Sequence, residues 1–189
     1  MKKLAIMAAL VVSSMAASAV EYSAFTKYDY DRLSDHHSVS AHRAVVGLKA
    51  DFNKWGALDA GVAHGRVSAF GHSENGNGYD IGYSNGVSIG KLGLSARVGA
   101  SKFDDVKLRS LALEASHPLN DRVTGFIGAE HLRGTIDGFS GHAGANRVTL
   151  GTNIALNTHT TFRVGYAHTD VNGSDLSGHG LTSALVYKF

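Results

Sequence analysis

The sequence predicts an all-β chain, folded as a single antiparallel up-and-down barrel of about ten strands that crosses a membrane. Apolar residues recur at every second position through most of the chain. The apolar face of each such segment is mostly medium-sized aliphatics with aromatics near strand ends, whereas the opposite face is rich in glycine, serine and full charges. The chain ends on "ALVYKF", an aromatic terminus followed by nothing polar.

The amino terminus reads as a leader. "MKK" is a positive n-region, "LAIMAALVV" an apolar h-region, and Ala17-Ser18-Ala19 the small-x-small pattern of a secretory cleavage site. That apolar run is shorter than the roughly 20 residues a helix needs to span a bilayer. The expected division is therefore a signal peptide at 1–19 and a barrel at 20–189. Removing Lys2 and Lys3 lowers the 18 basic residues to 16, equal to the 16 acids. A neutral chain without a basic cluster argues against nucleic acid as a partner. The absence of cysteine excludes disulfides and thiolate metal sites.

Taken in order, the apolar faces are Tyr22, Ala24, Tyr28; Ala44, Val46, Leu48, Ala50, Phe52; Leu58, Ala60, Val62; and Tyr79, Ile81, Tyr83, Val87, Ile89. Next come Leu92, Leu94, Ala96, Val98; Leu111, Leu113, Ala115; and Val123, Gly125, Ile127, Ala129. The last are Val148, Leu150, Thr152, Ile154, Leu156; Phe162, Val164, Tyr166; and Leu181, Leu185, Tyr187, Phe189. That makes ten strands, or eight if the first or third hairpin is misread. The connections alternate in kind: "NKWG", "GKLG", "HPLND" and "NTHT" are tight, while "LSDHHSV", "GHSENGNG", "GFSGHAGAN" and "VNGSDLSGHG" are glycine-rich and read as longer loops, with "KFDDVK" a short member of the second group. Short turns on one side and loops on the other fit a transmembrane barrel. A soluble sandwich or lipocalin-like barrel would put the apolar face inside, away from the charges.

In the final strand Tyr187 and Phe189 share a face with Leu181 and Leu185. This tail resembles the carboxy-terminal signal of bacterial outer-membrane proteins, in which an aromatic last residue and a Tyr or Phe two before it guide assembly; Ala184 stands where that family often has glycine. The resemblance implies an outer-membrane location and the barrel assembly machinery as a partner during biogenesis. The stretch "RVTLGTNIALNTHTTFRVGYAHTDVNGSDLSGHGLTSALVYKF" is also similar to the last strands of autotransporter β-domains. Because the leader runs straight into the first strand, kinship in fold alone is expected.

An inward polar face makes Asp29, Arg43, Lys49, Asp51, Asp59, Asp80, Arg97, Glu114, Glu130, Arg147 and Arg163 candidate lumen-lining residues. With Glu21, Lys27 and Lys188 the acids and bases are evenly mixed. Such a lumen is either filled by ion pairs or, where Gly47, Gly82, Gly86, Gly90, Gly99 and Gly151 leave volume, a narrow pore.

Most of the histidines cluster towards the longer connections, His36, His37, His72, His142 and His179 among them, and these are weak metal candidates because no HxH or HExxH spacing occurs. Asp29 and Asp31, with His168 and Asp170, loosely echo the acids and histidine of omptin proteases. "GHSE" at Gly71 to Glu74 is the nearest approach to a lipid A deacylase pattern, and no palmitoyltransferase motif occurs. No enzymatic activity and no cofactor are expected. The reading that results is an integral outer-membrane barrel, either porin-like for small solutes or structural with a salt-bridged lumen, in contact with outer-membrane lipid. A surface adhesin acting through the loops is the alternative, and an outer-membrane hydrolase is further off.

Overall fold

The computed structural model describes residues 20–34, 38–69, 72–136 and 142–189; residues 1–19, where a leader is expected, and His36 and His37 lie outside these. The strands are β1 (Glu21–Ser34), β2 (Ser38–Asp51), β3 (Ala57–Ala69), β4 (His72–Ile89) and β5 (Leu92–Phe103). They continue as β6 (Val106–Pro118), β7 (Val123–Ile136), β8 (His142–Ala155), β9 (Thr160–Val171) and β10 (Ser177–Lys188). Each strand pairs antiparallel with its chain neighbours, and β1 pairs with β10, so the sheet closes into a ten-strand barrel. The carboxy terminus forms the seam. Tyr187 lies opposite Ala24, and the Phe189 amide donates to the Tyr22 carbonyl at 3.1 Å. In hydrocarbon an unpaired backbone group costs several kcal/mol, so a spanning sheet must close in this way.

The connections at the end bearing both termini are tight, and side chains set their geometry. The Asn120 Oδ1 accepts from the amides of Arg122 and Val123, both at 2.9 Å. Asn157 repeats this arrangement with the amides of His159 and Thr160, both at 2.8 Å. A single 3-10 turn, Asn53–Trp55, follows β2, and Tyr83 donates to the Trp55 carbonyl at 2.8 Å. Gly90 sits in the β4–β5 turn at φ 61° and not on the lumen wall where its spacing had put it. Pro118 is the last residue of β6, where a missing amide costs little.

The glycine-rich stretches at the other end differ from expectation. His72–Gly78 begins β4, His142–Asn146 begins β8, and Ser177–Gly180 begins β10. Ladder hydrogen bonds come from the backbone, so small polar residues can carry a strand past the apolar band. The wall therefore projects beyond the lipid at this end, which is the extracellular one if the tight turns are periplasmic. Among the described residues of this end, the connection at Asp104–Asp105 is a two-residue turn, as short as its sequence suggests.

Side-chain direction is inverted relative to a soluble protein. Val46 is 57% exposed and Leu150 64%, whereas Asp29 is 4% and Arg147 9% exposed. Lipid is the solvent of the outer face. An arginine at Val46 or Leu150 is expected to lower unfolding free energy in vesicles by about 2–4 kcal/mol. A urea titration of each variant in phosphatidylcholine vesicles would measure it, and a loss near zero would contradict this orientation.

Candidate functional site: an ion-paired lumen

The barrel encloses a cavity of about 470 Å³ that begins at Glu21, Asp51 and Lys188 near the termini and reaches Asp29, Asp80 and Arg147. It is lined by seven acids and six bases, among them Lys49, Asp59, Arg97, Glu114, Glu130 and Arg163. Arg43 also points inward, from β2.

Three groups of ion pairs span this space. Arg97 on β5 grips Asp59 on β3 with two hydrogen bonds, Nε to Oδ1 at 3.2 Å and Nη2 to Oδ2 at 2.6 Å. The same Nη2 donates to Asp80 Oδ1 at 2.8 Å. Asp80 also accepts from Ser101 at 2.8 Å and from Arg43, so one carboxylate joins two guanidinium groups and a hydroxyl. Arg163 on β9 holds Glu114 on β6 in a fork, with Nη1 to Oε1 at 3.2 Å and Nη2 to Oε2 at 2.5 Å. Arg147 on β8 approaches Asp31 at 3.5 Å and Asp29 at 3.8 Å, while Lys27 meets Asp29 at 3.2 Å. Planar guanidinium forks match carboxylates in this way, which suits arginine to the longer reaches.

The longer reaches, Arg97 to Asp59, Arg43 to Asp80, Arg163 to Glu114 and Arg147 to Asp31, pass over one or two intervening strands, and glycine makes room for some of them. A Cβ on Gly82 would collide with the Arg97 guanidinium as it crosses β4. At Gly151 a Cβ would come within 2.7 Å of the Phe126 ring, which is 3% exposed and lies inside the barrel. Arg163 stacks on that ring with its guanidinium carbon 3.5 Å from the centroid. Phe25 covers Gly47 similarly. Of the glycines that sequence spacing suggested would leave volume, Gly47, Gly82 and Gly151 are thus covered by side chains of Phe25, Arg97 and Phe126 from other strands. No residue-level signal marks this, because Phe25 and Phe126 break the polar pattern of the inner face.

A further feature of the lumen is not evident in the charge pattern. Beyond the ion pairs, towards the end away from the termini, the inward positions include Leu33, Val39, Val67, Leu108, Leu132 and Val171, with Glu74 opposite Val67 the acid among them. None is buried, and Val67 is 51% exposed. The lumen is therefore a charged chamber opening onto a mostly apolar collar.

The remaining candidates do not gather. Asp29 and Asp31 face inward, whereas His168 and Asp170, 3.2 Å apart, lie on the outer face. His72, Ser73 and Glu74 begin β4, where Ser73 accepts from Arg66 at 3.1 Å. His72, His142 and His179 occupy three separate strands, and among the described residues no group of three metal-ligating side chains assembles. Several histidines instead form an outward belt with tyrosine. His42 shares a 2.6 Å hydrogen bond with Tyr28, and His179 stacks on Tyr166 at 5.5 Å. At the opposite edge Tyr187 and Phe189 meet edge to face at 5.6 Å, beside His159. Aromatic girdles at both interfaces are the usual boundary of such a barrel.

If the Arg163–Glu114 fork holds β9 to β6 as drawn, Arg163→Met and Glu114→Gln should each destabilise the barrel, and the double variant by less than their sum. The expected coupling is about 0.5–3 kcal/mol. Additive losses in vesicle unfolding would show that the fork contributes nothing.

No family model matches the chain, and no curated protein matches it significantly. Among solved structures it is similar to the translocator domain of the autotransporter NalP from Neisseria meningitidis. That likeness has a TM-score of 0.54 and 14% identity over 100% of this chain and 95% of that one. It is also similar to the β-domain of the Bordetella autotransporter BrkA, with a TM-score of 0.57 and 9% identity over 91% of this chain and 100% of that one. At such identities the likeness is one of fold. Together with the closed ladder and the apolar exterior, it makes this chain an integral outer-membrane β-barrel.

Proposed function

We propose that the barrel is a narrow pore for small solutes. The observation that carries this reading is the 470 Å³ cavity, open towards the terminal end and lined by nearly balanced charge. Lys49 and Glu130 line it and make no ion pair among the described residues, so they can exchange water with a passing solute. Balanced walls select weakly between cations and anions. The apolar collar opposes this permissiveness, since narrow apolar segments lose water and resist ions. Small neutral or weakly hydrated solutes fit both halves. Tyr187 and Phe189 are read as the assembly signal, acting before the lumen matters.

The first test is liposome swelling with small neutral sugars and amino acids, together with conductance in planar bilayers. Swelling with a small or absent ionic conductance is expected for the native protein. Leu108→Ser with Leu132→Ser should wet the collar and raise ionic conductance by about tenfold or more. If neither the native protein nor that variant, once refolded, passes any solute, the pore reading fails. A structural barrel closed by its ion pairs is then left.

A further inference from the structure

The ion pairs of the chamber leave out two side chains of opposite sign. Of the charged residues that line it, Lys49, Asp51 and Glu130 make no ion pair among the described residues. Asp51 sits at the rim, where it accepts from the Asn53 amide at 2.9 Å in the turn that follows β2. Lys49 and Glu130 lie farther in, and both are half-buried.

Each of these two has a residue of opposite charge directly across the ladder, and in both cases that neighbour is engaged elsewhere. Lys49 stands opposite Asp59, which Arg97 holds with two hydrogen bonds. Glu130 stands opposite Arg147, whose guanidinium leans away to Asp31 and Asp29. The network takes both natural partners and leaves one cation and one anion facing the chamber. Their strands, β2 and β7, lie half a turn apart in the ring of ten, so the two side chains rise from opposite walls. Depth separates them as well: Lys49 is near the terminal end of β2, which stops at Asp51, whereas Glu130 is midway along β7, Val123–Ile136. The result is a fixed dipole across a cavity of about 470 Å³. A solute of single charge is attracted at one pole and repelled at the other. A solute carrying both charges, spaced apart, gains a charge-assisted hydrogen bond at each.

We propose that the chamber binds a small zwitterion whose ammonium and carboxylate groups are held apart, as in an ω-amino acid or a short peptide. Its carboxylate meets Lys49 and its ammonium meets Glu130. An α-amino acid, with both charges on one carbon, reaches one pole at a time. This deepens the pore reading by naming a solute class and rests on it in requiring a chamber open to solutes; binding itself needs no passage through the collar.

The test uses the chain refolded in phosphatidylcholine nanodiscs, where both ends of the barrel are accessible. Calorimetric titrations compare 6-aminohexanoate with hexanoate, hexylammonium and glycine. The ω-amino acid should bind about tenfold or more tightly than each of the other three. Lys49→Met and Glu130→Gln should each abolish that preference, and Arg66→Gln, on the outer face of β3, should leave it intact. Urea unfolding in vesicles checks that each variant folds, and both lumen variants should, since each loses a charge that braces no other strand. Equal affinities of the native protein for 6-aminohexanoate and either singly charged analogue would overturn the proposal, whatever the variants do. So would a preference that survives either lumen substitution. Liposome swelling with ribose separates this from the pore reading: entry of ribose without binding of 6-aminohexanoate overturns the zwitterion site alone, and binding without entry of ribose supports the site and overturns the pore alone. If neither occurs, both fail.

Discussion

The structure depends on one constraint: in hydrocarbon every backbone N–H and C=O must find a partner within the protein. A row of strands cannot meet it while two edges remain open, and the β1–β10 ladder from Ser23↔Lys188 to Ser34↔Ser177 removes both. Closure then fixes the rest. Alternate residues on every strand must face lipid or lumen, with no third environment, which is why Val46 and Leu150 lie open on the surface while Asp29 is buried. The apolar carboxy terminus follows from the same rule, since the final residues complete a lipid-facing seam and are not a free tail.

Closure also creates the problem that the lumen solves. A ring of ten strands has an interior near the size that side chains alone can fill. Here arginines reach across one or more strands to their carboxylates, and glycines beneath them keep the wall thin. Gly82 under Arg97 and Gly151 under Phe126 are positions where even a methyl group would collide. Glycine in these strands therefore serves close approach more than empty space. The price is backbone entropy in the unfolded chain, offset by ion pairs that brace opposite walls.

Much of this was legible from period-two patterning, because a one-residue slip would turn every side chain to the wrong medium. Strand number, the apolar exterior and the inward charges follow from that rule. Strand ends do not, because glycine and serine serve equally in a loop or an extended ladder; the stretch before Gly78 reads as a loop and is the first third of β4. The pairing of lumen charges was equally hidden. Arg147 lies opposite Glu130 in the register, yet it leans across the barrel to Asp31 and Asp29. Alternation says which side a residue faces, not how far it reaches. The apolar collar escaped notice for a related reason: Leu108 and Leu132 lie beyond the charged layer on faces read as polar throughout.

The two faces of the wall manage charge in opposite ways. Inside, acids and bases are interleaved so that nearly every guanidinium meets a carboxylate of its own chain, and the chamber is close to neutral. Outside, over β5 to β7, bases stand opposite bases. A chain that balances charge across its lumen has the means to balance it on the wall; a single acid at position 109 would pair with Arg133 and remove the opposition there. The two patterns differ because the inner surface is completed by its own side chains and water, whereas the outer one faces lipid.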